Sequence, residues 1–439
     1  SRLLAEGLHA TIDEHVPTKR TSWASNPWWS KDLDQLRREL LRLQRTWHRS
    51  KDPDDKKAAN ACRRRLRRAI ATAKQSCWRQ MCEEASADDL WTVFQKITRP
   101  RRSRRIGSLH VDDTWISDDA GKARALADRF FLTTFPPSTP AHEAICSRIS
   151  TLLASAPGAD VPVVSEVELH TAIWSSGPWK APGADRIPTV CLLECESILT
   201  PYLLPLFSAS LRLQCLPSEW KSAVVVAVPK PGSGVSLPKS YRPISLLSCI
   251  SKILERIVTD RVTHLLESSL ALSDRQFGFR RTRSTELALL NFVAAASCAL
   301  QTRQKTVMLA LDIQGAYDRV WHEGLLAKLV DLDVPLALVG WVQSFLSDRS
   351  VTLRIGEAVE RRQLCMGVPQ GSPLSPILFL VFIDDLVRDL SAIAHAQAFA
   401  DDVVVWWHAR KGDSGEAVGH RVLDVVEQWS VAWRAIFNP

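Results

Sequence analysis

Phe399-Ala400-Asp401-Asp402, followed at once by Val403-Val404-Val405-Trp406-Trp407, decides the fold of this 439-residue chain. Two apolar residues precede adjacent carboxylates and an apolar run follows, which reads as a tight β-hairpin with an acidic tip. Two close carboxylates repel each other unless a cation lies between them, so a strand that ends in paired aspartates needs a reason. A second strand-like run, Thr306-Val307-Met308-Leu309-Ala310-Leu311, ends in Asp312. An aspartate at a strand end beside an aspartate pair on a hairpin is what two-metal phosphoryl or nucleotidyl transfer needs. Two Mg²⁺ ions, with Mn²⁺ as a substitute, are the expected cofactors, because a hard ion prefers carboxylate oxygen and keeps some of its waters. Strand 306–311 must then lie beside the 399–406 hairpin. Side chains alternate along a strand, so Asp402 points away from Asp401 and is expected to have a weaker, partly structural role.

Outward from these sites come further blocks. Between them lies Gly367-Val368-Pro369-Gln370-Gly371-Ser372-Pro373-Leu374-Ser375-Pro376, then the apolar run 377–383. Upstream are Trp179-Lys180-Ala181-Pro182-Gly183-Ala184-Asp185, Val228-Pro229-Lys230-Pro231-Gly232, Tyr241-Arg242-Pro243 and Gln276-Phe277-Gly278-Phe279-Arg280. Glycine lets the 367–371 backbone approach a ligand. Ser375 and Pro376 read as an N-cap and first-turn proline, and Asp318 as a cap of the helix after it.

The order and content of these blocks resemble the reverse transcriptase of non-LTR, LINE-type retrotransposons, from about Val164 to the last residue. The resemblance implies an α/β (α+β palm) right-hand polymerase. Its fingers and palm would carry an antiparallel catalytic sheet, joined to a basic α-helical N-terminal extension. It implies Asp312, Asp401 and Asp402 as catalytic residues, with Asp312, Ile313 and Asp401 holding the metals. Lys230, Arg242, Tyr317 and Gln370 become the dNTP contacts: the two cations on the triphosphate, and Tyr317 as the floor that excludes a ribose 2′-hydroxyl. Arg280, Arg281 and Gly371 become nucleic-acid contacts. Template RNA, a DNA primer or target DNA and dNTPs are the implied partners.

Composition adds where the charge lies. The net charge is +8, yet residues 31–105 hold 22 Lys or Arg against 10 Asp or Glu, and the remainder is slightly acidic. Such a concentration is the electrostatic footprint of nucleic-acid contact, with Arg63, Arg64 and Arg67 as candidate ligands. Leu33, Leu36, Leu40, Leu43 and Trp47 recur at spacings of three and four, Ser30 can cap their helix, and Lys51-Asp52-Pro53 breaks it. Cys62, Leu66, Ala69, Ala73 and Cys77 mark a second helix, so the pattern predicts a helical hairpin. The predicted layout is a basic helical extension over 1–105, a linker with short helices over 106–163, one of them at Ala144–Ala154, and the polymerase over 164–439. Pro100-Arg101-Arg102-Ser103-Arg104-Arg105 reads as a basic linker, and Trp174, Trp179 and Trp220 as core.

Ten cysteines without a C-x-x-C pair read as reduced thiols, neither a disulfide framework nor a zinc site. No 18-residue apolar span occurs, so no membrane partner is expected. The expected location is intracellular, in a nuclear or cytoplasmic ribonucleoprotein, not secreted. Relatives of this kind carry an endonuclease before such a segment and a thumb after it. Neither is legible here, so a polymerase fragment or a decayed copy is expected. Two other readings share parts of the pattern: a non-catalytic RNA binder, and a group II intron maturase-like protein.

Overall fold

The computed structural model describes residues 3–4, 6–8, 29–84, 106–131, 136–155, 163–178, 180–410 and 412–438. The chain forms two compact units: residues 12–104, and a body made of 1–11 with 105–439. The basic linker at 100–105 and Trp179 lie outside the described residues.

The smaller unit is the helical hairpin that the apolar spacing predicts, α1 (Lys31–Ser50) and α2 (Pro53–Glu84). The Ser30 hydroxyl accepts from the Leu33 N–H, and Lys51, at φ 58°, closes the helix in the left-handed conformation. Leu33, Ala59, Cys62 and Leu66 are buried between the helices, while Arg64 and Arg67 are exposed and Arg63 lies half-buried against Asn60.

The body begins with a short hairpin, β1 (Leu109–Val111) and β2 (Thr114–Ile116), then α3 (Asp119–Phe130) and α4 (Pro140–Ala154). Helices α5 (Glu166–Trp174), α6 (Thr189–Glu194) and α7 (Glu196–Arg212) follow, then β3 (Ser222–Pro229), β4 (Tyr241–Leu246), α8 (Cys249–Ser268) and α9 (Thr285–Gln301). Next come β5 (Lys305–Leu311), α10 (His322–Asp331), α11 (Leu336–Leu346), β6 (Arg349–Ile355) and β7 (Ala358–Leu364). The body closes with α12 (Ser375–Ser391), β8 (His395–Phe399), β9 (Asp402–Ala409) and α13 (Glu416–Trp433). One mixed sheet runs β4-β3-β6-β7, with β3 parallel to β6, and a second, antiparallel sheet runs β5-β9-β8.

Residues 106–131 are not the linker that composition suggested. Leu109 and the α3 residues Ala123, Leu126, Ala127 and Phe130 form one core with Val225, Tyr241, Val351 and Leu353 of the mixed sheet. The apolar face of α3 recurs at helical spacing and covers a sheet face that would otherwise meet water. The predicted helix at Ala144–Ala154 starts earlier, at Pro140, because Thr139 and His142 form a reciprocal cap. Trp220 is core, but Trp174 is 60% exposed, its indole N–H donating to Glu196.

Helix α12 is the hub of the main core, with Leu378, Phe379, Ile383 and Val387 fully buried. Its Asp385 accepts from Lys328 Nζ of α10 at 2.7 Å and from Trp429 Nε1 of α13 at 2.9 Å. The buried Lys328 ammonium also lies 3.8 Å from the Trp433 ring centre, so one charged pair ties three helices together. Ser375 does not cap α12. It is the first helical residue, its hydroxyl donates to the Pro369 carbonyl, and Ser372 accepts from Leu374 N–H in its place.

Candidate active site

Strand register places the acidic tip. Strand β9 lies between β5 and β8, with Leu311 opposite Val403 and Phe399 opposite Asp402. Asp312 therefore leaves β5 beside the turn that carries Asp401. Asp312, Asp401 and Asp402 line one side of an open cavity of about 680 Å³.

The turn itself is Ala400-Asp401, with only Ala400 at positive φ (59°), as in a type II′ hairpin. An L-residue there costs about 1 kcal/mol, so neighbours must hold it. Gln276 does so. Its buried side chain accepts through Oε1 from the N–H groups of Ala400 (3.1 Å) and Gly278 (2.9 Å), and Nε2 donates to the Ala400 carbonyl (3.4 Å). Phe277 N–H donates to the Ala398 carbonyl at 2.7 Å, and Ala398 N–H to that of Arg275 at 2.9 Å. A Cβ on Gly278 would lie 2.3 Å from the Ala400 nitrogen, so only glycine allows this approach. Residues 275–278 thus grip the acidic tip.

Asp312 is held from the other end of the chain. Asn438 Nδ2 donates to Asp312 Oδ2 at 2.6 Å, and Asn438 N–H to the Asp312 carbonyl at 2.8 Å. Gln314 N–H donates to the Ile436 carbonyl, and this bridge leaves the Ile313 carbonyl out of its bonds. Burial pushes the Asp401 carboxyl above the usual range, and the charges of Asp402 and Asp312 push it further, against Arg242. A cation would relieve that repulsion. The donors are all oxygens: two carboxylates, and Ile313 through its carbonyl. Among the described residues no three His, Cys, Asp or Glu side chains form a ready cage. Two carboxylates and a carbonyl are the kind of oxygen donors that Mg²⁺ takes alongside substrate phosphates.

Lys230, just past the end of β3, and Arg242 of β4 line the same cavity, with Val228 paired to Arg242. Neither forms an ion pair with a carboxylate among the described residues. Tyr317 forms the floor, its ring stacked on Phe379 at 4.9 Å. Burial and the nearby Asp401 charge keep its hydroxyl protonated. Gln370 reaches the cavity with its amide donating to Asp318 Oδ1 at 2.9 Å. Asp318 therefore does not cap α10, whose N-cap is Trp321 without a side-chain bond. Burial pushes the Asp318 carboxyl up to about 7, against the Gln370 bond and the charges of Arg129, Lys230 and Arg319.

Two residues differ from the sequence reading. Arg280 is buried and its guanidinium is fully engaged, with Glu267 at 2.7 Å twice and with the Ser273 carbonyl, so it buttresses the fold and is not presented to a nucleic acid. Gly371 (φ 135°) lines the cavity, but its lack of a side chain answers to β4: a Cβ would lie 2.4 Å from the Ser245 carbonyl oxygen. Arg281 is exposed. Arg63, Arg64 and Arg67 belong to the smaller unit. The roles of Gln276 and Asn438 escaped sequence reading because both act on groups distant in sequence. Arg129 escaped it because α3 carries no motif.

Residues 228–439 match the family described as reverse transcriptase (RNA-dependent DNA polymerase). The chain is 31% identical, over 90% of its length and 45% of the relative's, to a Drosophila melanogaster protein named a probable RNA-directed DNA polymerase from transposon X-element. It is 29% identical, over 91% of its length and 45% of the relative's, to the RNA-directed DNA polymerase from mobile element jockey of the same organism. A Pol polyprotein from the type-1 retrotransposable element R1 of Bradysia coprophila is 28% identical over 92% of the chain and 40% of its own length. The chain thus spans about half the length of the curated relatives it matches.

Proposed function

Because residues 228–439 are a reverse transcriptase domain, and most of the chain is similar to polymerases of non-LTR retrotransposons, we propose that this protein copies RNA into DNA by adding dNTPs to a primer 3′-hydroxyl. The observation that carries this reading is one cavity lined by both Asp312 and Asp401 and by Lys230 and Arg242. A nucleoside triphosphate has the matching polarity: phosphates for the cations, and an α-phosphorus beside the carboxylates. In this reading the antiparallel sheet is the palm and the β3–β4 hairpin belongs to the fingers.

Asp312, Asp401 and the Ile313 carbonyl would hold divalent ions, which supply hydroxyl activation and neutralisation of the pyrophosphate leaving group. Lys230 and Arg242 orient the triphosphate, Arg242 with the planar fork suited to two phosphate oxygens. Tyr317 gives the sugar a flat floor and leaves no room for a 2′-hydroxyl. Asp402, the first residue of β9, lines the same cavity and supports the tip.

Primer extension on an RNA template annealed to a DNA primer, with dNTPs and Mg²⁺, tests the proposal beside Asp401→Ala. Extension by the parent, its loss in the variant, and its loss on chelation of Mg²⁺ are expected. Extension that survives Asp401→Ala would refute the site. RNA binding by a parent that never extends would leave the non-catalytic RNA binder as the reading.

A further inference from the structure

The cavity that the carboxylates line also has a cation that the family match does not include. Arg129, in the last turn of α3, lies outside residues 228–439 and lines the cavity with Lys230, Lys239 and Arg242. Its side chain is half-buried, and among the described residues it makes no hydrogen bond or ion pair. That contrasts with Asp128 and Lys122 on the same helix, which pair with Arg362 and Asp119. The Arg129 charge also acts on Asp318, which lines the same cavity. A half-buried guanidinium with no protein partner, in a cavity with three other unpaired cations, is costly unless an anion completes it.

Helix α3 cannot slide away from this position. Phe130, next to Arg129, is buried in the core shared with the mixed sheet, and Asp128 is held by Arg362 of β7 at 2.9 Å. The helix is thus bolted to the sheet that carries Lys230 and Arg242. It delivers Arg129 as a preorganised donor.

We propose that Arg129 is a ligand of the incoming nucleotide's triphosphate, which makes α3 part of the substrate site. This rests on the proposed function and extends it to a residue before the family domain. A triphosphate is favoured over template phosphates because Arg129 lines the same cavity as Lys230 and Arg242, which the exposed Arg281 does not line.

The test compares the parent with Arg129→Ala, Arg129→Lys and, as a control, Arg124→Ala, an exposed arginine of α3 that does not line the cavity. Losing a charge-assisted phosphate contact raises the KM for dNTP about 10-fold or more, with kcat changed far less. Arg129→Lys should recover part of the loss and Arg124→Ala should match the parent. A second readout needs no turnover: retention of dNTP on a dideoxy-terminated primer–template, followed by a gel shift that resists competitor DNA. Weaker retention in Arg129→Ala, with primer–template affinity in the absence of dNTP unchanged, supports the assignment. Equal dNTP affinity in parent and variant overturns it while leaving the polymerase intact. A fall in primer–template affinity by the same factor also overturns it, and moves Arg129 to the template strand. Failure of the parent itself to retain dNTP would remove this inference and the proposed function together.

Discussion

Gln276 shows how one buried amide can set the position of a carboxylate it never touches. Two of its three hydrogen bonds hold Ala400 in a backbone region that alanine avoids, the third ties the amide to Gly278, and Asp401 follows Ala400. Gln276→Ala should lower kcat about 10- to 100-fold, because a misplacement near an ångström costs on that order. Primer–template affinity should stay the same. Full kcat in this variant would show that the hairpin holds its own shape. Asp318 makes a pH-dependent prediction. Its folded pKa of about 7 lies above the unfolded value, so the native state keeps a proton that the unfolded chain releases from about pH 4. Stability from this group is full below that window and is lost as pH rises through about 7. Asp318→Asn cannot ionise and can still accept from Gln370. Thermal melts should show it more stable than the parent at pH 8, by about 1–3 kcal/mol, and equal to it near pH 4. Equal melting at both values would mean that Asp318 ionises like an exposed aspartate.

At the scale of elements, α3 carries the main lesson. Composition assigned residues 106–163 to a linker, yet α3 and the β1–β2 hairpin close the core over the mixed sheet. A chain trimmed to begin at Val164 would uncover Val225, Tyr241, Val351 and Leu353. Each such side chain is worth about 1.5–3 kcal/mol when buried. The trimmed chain should therefore melt well below one that begins at Ile106 and bind a hydrophobic dye that the longer one excludes. Identical melting would show that α3 is dispensable to this core. The reason α3 was illegible is physical. Two of its four buried apolar residues are alanines, Ala123 and Ala127, so its stripe is weak as a pattern but fits closely on a sheet.

At the scale of the molecule, the charge is divided between two units. The positive excess lies within residues 31–105, and Asp312, Asp401 and Asp402 lie in the body, which is slightly acidic. If the helical hairpin holds RNA, affinity should fall steeply with salt. Roughly six phosphate contacts correspond to about a 10³-fold loss between about 50 and 200 mM. Removal of residues 12–104 should flatten that slope, read as filter binding against salt concentration, and an unchanged slope would place the RNA contacts on the body. The sequence by itself determined the helical hairpin, the strand–turn–strand around Asp401, the strand ending at Asp312 and the family to which residues 228–439 belong. Each rests on local periodicity, turn residues or contiguous motifs, which act over a few residues and are written where they act. Only the tertiary structure decided that Gln276 and Asn438 hold the two aspartates, that Arg280 is locked to Glu267, that Asp318 faces Gln370, and that α3 brings Arg129 to the cavity. Those outcomes depend on which distant backbone groups meet and which side chains lose water, and they exist only once the core has closed.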